Sequence, residues 1–152
     1  MASDAVSAGT PRRADQMPPQ SPFSNLVGIE AVSVAPDEVV VRMPVTEALA
    51  NRNGVLHGGA IMTLADNAAG SAAFINVPAE RSNTTVEAKT NFLRGVPVGD
   101  VLTARCVPLH RGRTMLVLQV TMTRRDGKVA AVTTQTHLVL DFDGGRMTED
   151  GR

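Results

Sequence analysis

His57-Gly58-Gly59-Ala60-Ile61-Met62-Thr63-Leu64-Ala65-Asp66 runs on through Asn67-Ala68-Ala69-Gly70-Ser71-Ala72-Ala73-Phe74-Ile75-Asn76-Val77 with one carboxylate and no Lys or Arg. A surface helix of this length normally carries several charges on its solvent face, so so bare a segment reads as a helix covered on most sides. Its Ala-rich interior favours helicity, its small side chains let a sheet approach the backbone, and Pro78 sets its end. Asp66 is then the residue to explain. A carboxylate enclosed there would have its pKa shifted upward or demand a partner from elsewhere, and titratable groups held in that way tend to mark active sites. The alternative is an Asp on a narrow solvent-facing strip beside Thr63, Asn67, Gly70 and Ser71, and the helix alone leaves both readings open.

Outward from this helix the pattern turns to strands. Leu26–Val34 and Glu38–Val45 read as two strands joined at Ala35-Pro36-Asp37, a turn with Pro in a favoured place. Thr46–Leu56 leads into the helix. After it, Thr84–Leu93 alternates Val86, Ala88, Thr90 and Phe92 with Thr85, Glu87, Lys89 and Asn91, which predicts a strand covered on one face. Asp100–Leu109, Thr114–Arg124 and Lys128–Phe142 follow as an antiparallel meander. They are separated by His110-Arg111-Gly112-Arg113 and by Arg125-Asp126-Gly127, which holds the Asp-Gly pair of tight hairpins. Strands, one buried helix, then more strands predict an α+β fold with a curved antiparallel sheet around the helix.

Residues 1–21 are rich in Ala, Ser, Pro and charge without periodicity and read as a flexible tail. Residues 22–142 form the expected domain, and the polar stretch 143–152 a second tail. With 152 residues, 43% hydrophobic and 20% charged, the chain fits one globular domain. Fifteen basic and fifteen acidic residues cancel, which leaves no footprint of a nucleic-acid binder. Cys106 is the only cysteine, which rules out an internal disulfide, and its strand-like setting predicts an inert thiol. Neither a secretory leader nor an apolar run of spanning length is seen, so the expected compartment is the cytoplasm, away from membranes.

Spacing along the helix constrains the chemistry. Nine steps from His57 to Asp66 turn through about 900° and rise about 13 Å, and Gly59 lies about 10 Å from Asp66 along the axis. One helix cannot bring both ends to one carbon. Two copies running antiparallel across a dimer axis could, which predicts self-association and a shared site. At the helix start the Gly58-Gly59 pair leaves N–H groups unobstructed where orphan donors and the macrodipole favour negative charge. A polarised carbonyl and a carboxylate base are the equipment for acyl transfer to water. Alternatively the glycines only permit a tight entry into the helix, and His57 caps it or bonds a loop carbonyl.

Asn51, six residues before His57-Gly58-Gly59, together with Thr63-Leu64-Ala65-Asp66, Thr90-Asn91-Phe92-Leu93-Arg94 and Gly112-Arg113-Thr114, resembles the hotdog-fold acyl-CoA thioesterases of the phenylacetate-degradation and 4-hydroxybenzoyl-CoA thioesterase type. The resemblance runs from about Phe23 to Leu140. It implies a sheet wrapped around a central helix, protomers that join their sheets into dimers, and dimers that pair into tetramers. It implies hydrolysis of an aryl- or medium-chain acyl-CoA to free acid and CoA, with no metal or organic cofactor. The Gly58 N–H would polarise the thioester carbonyl, and Asp66 of the other protomer would act as general base or attack directly. Asn51 would orient water or thioester, His57 would hold the loop before the helix, and Thr85 would help hold the water. Strand parity sets Thr85 opposite Val86 and Phe92, with Thr84 as the competing choice. Gly59, Arg94, Arg111 and Arg113 would contact substrate, the arginines at the nucleotide end of CoA, where a guanidinium suits phosphate. His110 and His137 have no metal spacing and read as loop and strand residues. With no Trp, no Tyr and four Phe, the acyl pocket is expected to be aliphatic. Two other functions fit the same fold: a non-catalytic acyl-CoA-binding or regulatory module, and a hydratase or dehydratase.

Overall fold

The computed structural model describes residues 9–141, so residues 1–8, Phe142 and the predicted tail at 143–152 lie outside the described residues. Besides two short 3-10 turns at Ala14–Gln16 and Glu47–Leu49, two α-helices and six strands follow in the order α1 (Pro22–Leu26), β1 (Glu30–Ala35), β2 (Glu38–Pro44), α2 (Gly58–Asn76), β3 (Arg81–Phe92), β4 (Val101–Arg111), β5 (Met115–Thr123) and β6 (Val129–Asp141). The strands make one antiparallel sheet in the order β1-β2-β4-β5-β6-β3. This is the expected α+β layout.

Alternation places Val39, Val41 and Met43 of β2, Leu102, Ala104 and Cys106 of β4, and Leu116, Leu118, Val120 and Met122 of β5 on one face, fully buried. Against them α2 turns Ile61, Leu64, Ala65, Ala68, Ala69, Ala72 and Ala73. Five of those seven are alanines, so the sheet closes on the helix backbone while each larger side chain contributes roughly 1.5–3 kcal/mol of burial. Asn76 then ties the helix end to the β1–β2 turn, donating Nδ2 to Pro36 O (2.9 Å) and Ala72 O (2.8 Å). Val77 leaves the helix in extended conformation before Pro78. The β5–β6 hairpin turns through Arg125-Asp126-Gly127, with Gly127 at φ 81°.

Three expectations change. Leu26 ends a helix instead of starting a strand: Ser21 caps α1 by accepting from Ser24 N (3.1 Å) with Pro22 at its first position, and β1 begins at Glu30. Residues 9–21, expected as tail, lie against α2. Arg12 stacks on the Phe74 ring at 4.1 Å and donates to Phe74 O (3.3 Å) and Arg81 O (2.9 Å), and the Gln20 side chain accepts from Asn67 Nδ2 (2.8 Å). The Arg12 bonds satisfy carbonyls around the helix C-terminus, which composition does not reveal. In β3 the pairing shifts between Thr85 and Glu87, leaving Val86 as a bulge. Parity therefore resets there, and Thr85 shares its face with Ala88, Thr90 and Phe92.

Candidate active site

At the start of α2, His57 has the extended backbone of an N-cap, and its Nδ1 accepts the Gly59 N–H at 2.9 Å. With Nδ1 accepting, the neutral ring carries its proton on Nε2. The loop before it is closed by backbone bonds from His57 N to Leu49 O (2.8 Å) and Asn51 N to Val55 O (2.7 Å). Asn51 Oδ1 accepts from Asn53 N (2.8 Å) and Val55 N (3.4 Å), so this side chain shapes the loop. Of the two expected backbone donors, Gly59 is engaged by the cap, whereas Gly58 N–H has no acceptor among the described residues. A Cβ at Gly58 would meet the Phe92 ring at 3.5 Å, so that ring bounds the helix start.

Asp66 lies on the exposed strip of α2 with Gly59 and Met62, beside half-buried Thr63, Asn67, Gly70 and Ser71. Within one chain the strip reading holds. The strip borders a cleft of about 650 Å³ between α2, the segment Met17–Ser24 and the inner face of β3 and β6. Its apolar walls are Met17, Pro18, Pro19, Met62, Phe23 and Phe74, so two of the four phenylalanines join the expected aliphatic lining. A second cleft of about 390 Å³ beside His57, Gly59 and Leu49 shares Phe23 and Thr63 with the first, and a groove thus follows the helix from its start to Asp66.

The carboxylate has a partner that sequence reasoning missed. Gln135 of β6 donates Nε2–H to Asp66 Oδ1 at 3.1 Å, and its Oε1 lies 2.9 Å from His137 Nε2. His137 Nδ1 is 3.2 Å from the Asn83 side chain of β3. Gln135 and His137 are each 1% exposed. Burial pushes the His137 pKa below its usual value, and the Asp66 charge pulls the other way. Thr85 Oγ1, on the inner face, reaches His137 Nε2 only at 3.5 Å, so it is linked to Asp66 through His137 and Gln135. Thr84 pairs with Leu138 on the opposite face. Burial alone pushes the Cys106 thiol up to about 12, as expected of an inert residue.

The three arginines do not converge. Arg111 donates to Pro36 O (2.8 Å) and pairs with Asp37, which commits it to the β1–β2 turn. Arg113 lies just beyond it, with its carbonyl accepting from Arg81 Nη1 (2.9 Å). Arg94 bonds Val129 O at 2.7 Å, at the other end of β6. Arg94 N meets Ala130 O, whereas Arg111 pairs with Leu116 and Leu116 with His137. Seven residues of β6 separate those levels, about 24 Å. Among the described residues no three His, Cys, Asp or Glu side chains converge as a metal site would need. Nor is any described helix long and apolar enough to cross a membrane.

Residues 53–131 match the family model of the thioesterase superfamily. A 1,4-dihydroxy-2-naphthoyl-CoA hydrolase of Listeria monocytogenes is 30% identical over 106 residues, 70% of this chain and 85% of the relative. A thioesterase of Haemophilus influenzae superposes with a TM-score of 0.76 at 26% identity, covering 82% of this chain and 87% of that one. A Streptococcus mutans protein whose structure holds acetyl-CoA superposes at 0.70 with 29% identity, covering 75% and 90%. The sheet and its central helix are a hotdog fold. The chain belongs to the thioesterase superfamily and is a thioester hydrolase.

Proposed function

We propose that this hydrolase cleaves aryl- or medium-chain acyl-CoA thioesters, in a site that two copies of the chain build together. One observation carries the reading: the Asp66 carboxylate and the unengaged Gly58 N–H sit on one helix, eight residues and so about 12 Å apart along its axis. They serve one carbonyl only if a second helix, running the other way, lends its start to the middle of the first. The sheet offers a way to do this. β3 is a twelve-residue edge strand, exposed along most of its length, with Val86, Phe92 and neighbouring Leu93 each more than half exposed. Antiparallel pairing of two such edges makes one continuous sheet and sets the helices side by side in opposite directions.

In that arrangement the thioester oxygen accepts the N–H of Gly58 from one copy, and Asp66 of the other takes a proton as water attacks the carbonyl carbon. The tetrahedral intermediate then expels CoA as thiolate, which recovers the proton from the Asp66 carboxylic acid. His57 supports this as the cap that fixes the helix start, and Asn51 as the residue that shapes the approach. Antiparallel edges would also bring Arg94 of one copy to the Arg113 end of the other, where the CoA phosphates would lie. The acetyl-CoA held by the Streptococcus mutans neighbour and the aromatic CoA ester named for the Listeria relative support the substrate class.

The test is release of free CoA from a panel of short, medium, long and aryl acyl-CoAs. Asp66→Asn is expected to lower kcat at least about a hundredfold with KM little changed. Release from no substrate by the wild type would overturn the activity, and full turnover by Asp66→Asn would overturn the base.

A further inference from the structure

The inner face of β6 presents Ala131, Thr133, Gln135, His137 and Val139 to the interior. Apolar residues would bury there at less expense than an amide and an imidazole, whose desolvation is tolerable only with every polar atom matched. Thr133 is matched locally by the Thr90 hydroxyl at 2.8 Å. The other two are matched in a line that ends on the carboxylate. A glutamine amide has two ends of nearly equal shape, so something must choose between them. The Asp66 carboxylate accepts and the His137 Nε2–H donates, so the amide points its N–H to Asp66 and its oxygen to the ring. In the neutral ring Nδ1 is left as an acceptor 3.2 Å from Asn83 Oδ1, so the Asn83 amide, which has no other partner among the described residues, donates there only with its oxygen and nitrogen ends exchanged.

We propose that Gln135 and His137 are positioning residues for the hydrolysis. His137 fixes which end of the Gln135 amide faces the helix, and that amide holds Asp66 by Oδ1 so that Oδ2, without a partner among the described residues, faces the cleft and the water. His137 touches neither Asp66 nor the cleft and acts only through Gln135. This rests on Asp66 serving as the base.

Four variants test it in the full-length protein: Gln135→Met, which keeps length without polarity, His137→Leu, the two combined, and His137→Gln, which keeps a donor. Gln135→Met is expected to lower kcat about tenfold, the fold-change of one charge-assisted hydrogen bond, with KM unchanged. His137→Leu should lower kcat in the same way. The double variant should be no slower than Gln135→Met, since His137 has no route left, and His137→Gln should recover most of the rate. Single effects that multiply in the double variant would overturn the relay, because residues acting independently combine in that way. Wild-type kcat in Gln135→Met would overturn the whole proposal. If Gln135→Met does not fold, Gln135→Asn, with an amide too short to reach, is read by the same criteria. An inactive Asp66→Asn beside a fully active Gln135→Met removes the positioning role alone, whereas full activity in both removes the general base as well.

Discussion

His137 faces a single charged group, Asp66 across Gln135, while Asn83 and Thr85 on β3 and Leu116 opposite on β5 present no charge. Desolvation lowers its pKa in the folded protein, so below about pH 6.5 the unfolded chain takes up the proton first. The stabilising contribution is therefore full above that pH and is lost as the pH falls towards the lowered folded value. Thermal unfolding from pH 7 to pH 5 should show a falling Tm for the wild type and a flatter slope for His137→Gln. Equal slopes would show that the ring does not govern this range. The placement of the candidate residues on α2 is legible in the sequence. His57, Gly58 and Asp66 stand out because helix spacing is rigid and one charge in an apolar stretch is conspicuous. Gln135 does not, because both parities of β6 mix polar and apolar residues and the bulkier Val132, Leu138 and Leu140 fall on the outer face. Strand parity puts Thr85 on the wrong face because a bulge adds a residue without any mark in the pattern.

Among the elements, the strands and α2 were readable from alternation and from the Ala-rich run. Two parts of the chain were not. The strand-like stretch from Leu26 to Val34 draws attention from the Ser21 cap and Pro22 that start α1, and the stretch 9–21 is held by a few long-range polar contacts that periodicity cannot show. The most consequential element is β3, whose inward alternation was visible but whose lack of a second neighbour was not. Val86 lies near the middle of that edge and is 52% exposed. In an antiparallel pair of edges it would lie near the two-fold axis, so Val86→Arg would set two like charges close together. Sedimentation at micromolar concentration should give the wild type a multiple of 16.0 kDa and the variant a shift towards that single-chain mass. A wild type already at the single-chain mass, or a variant with unchanged mass, would speak against edge pairing.

For the whole molecule, the proposed base and the proposed oxyanion donor lie on the same helix about 12 Å apart along its axis, so the proposed reaction requires a second copy of the chain. Gly58→Pro isolates the donor. Proline is favoured at the first position of a helix, and His57 already has the extended backbone (φ −63°, ψ 138°) that a following proline requires, so the change removes an N–H with little disturbance. The decisive measurement is CoA release from a mixture of Asp66→Asn and Gly58→Pro proteins after subunit exchange. A site shared between two chains predicts that each variant alone is nearly inactive and that the mixture recovers about a quarter of wild-type turnover: half of the dimers are mixed, and each mixed dimer holds one intact site. No recovery after proven exchange would contradict it, placing the whole reaction within a single chain.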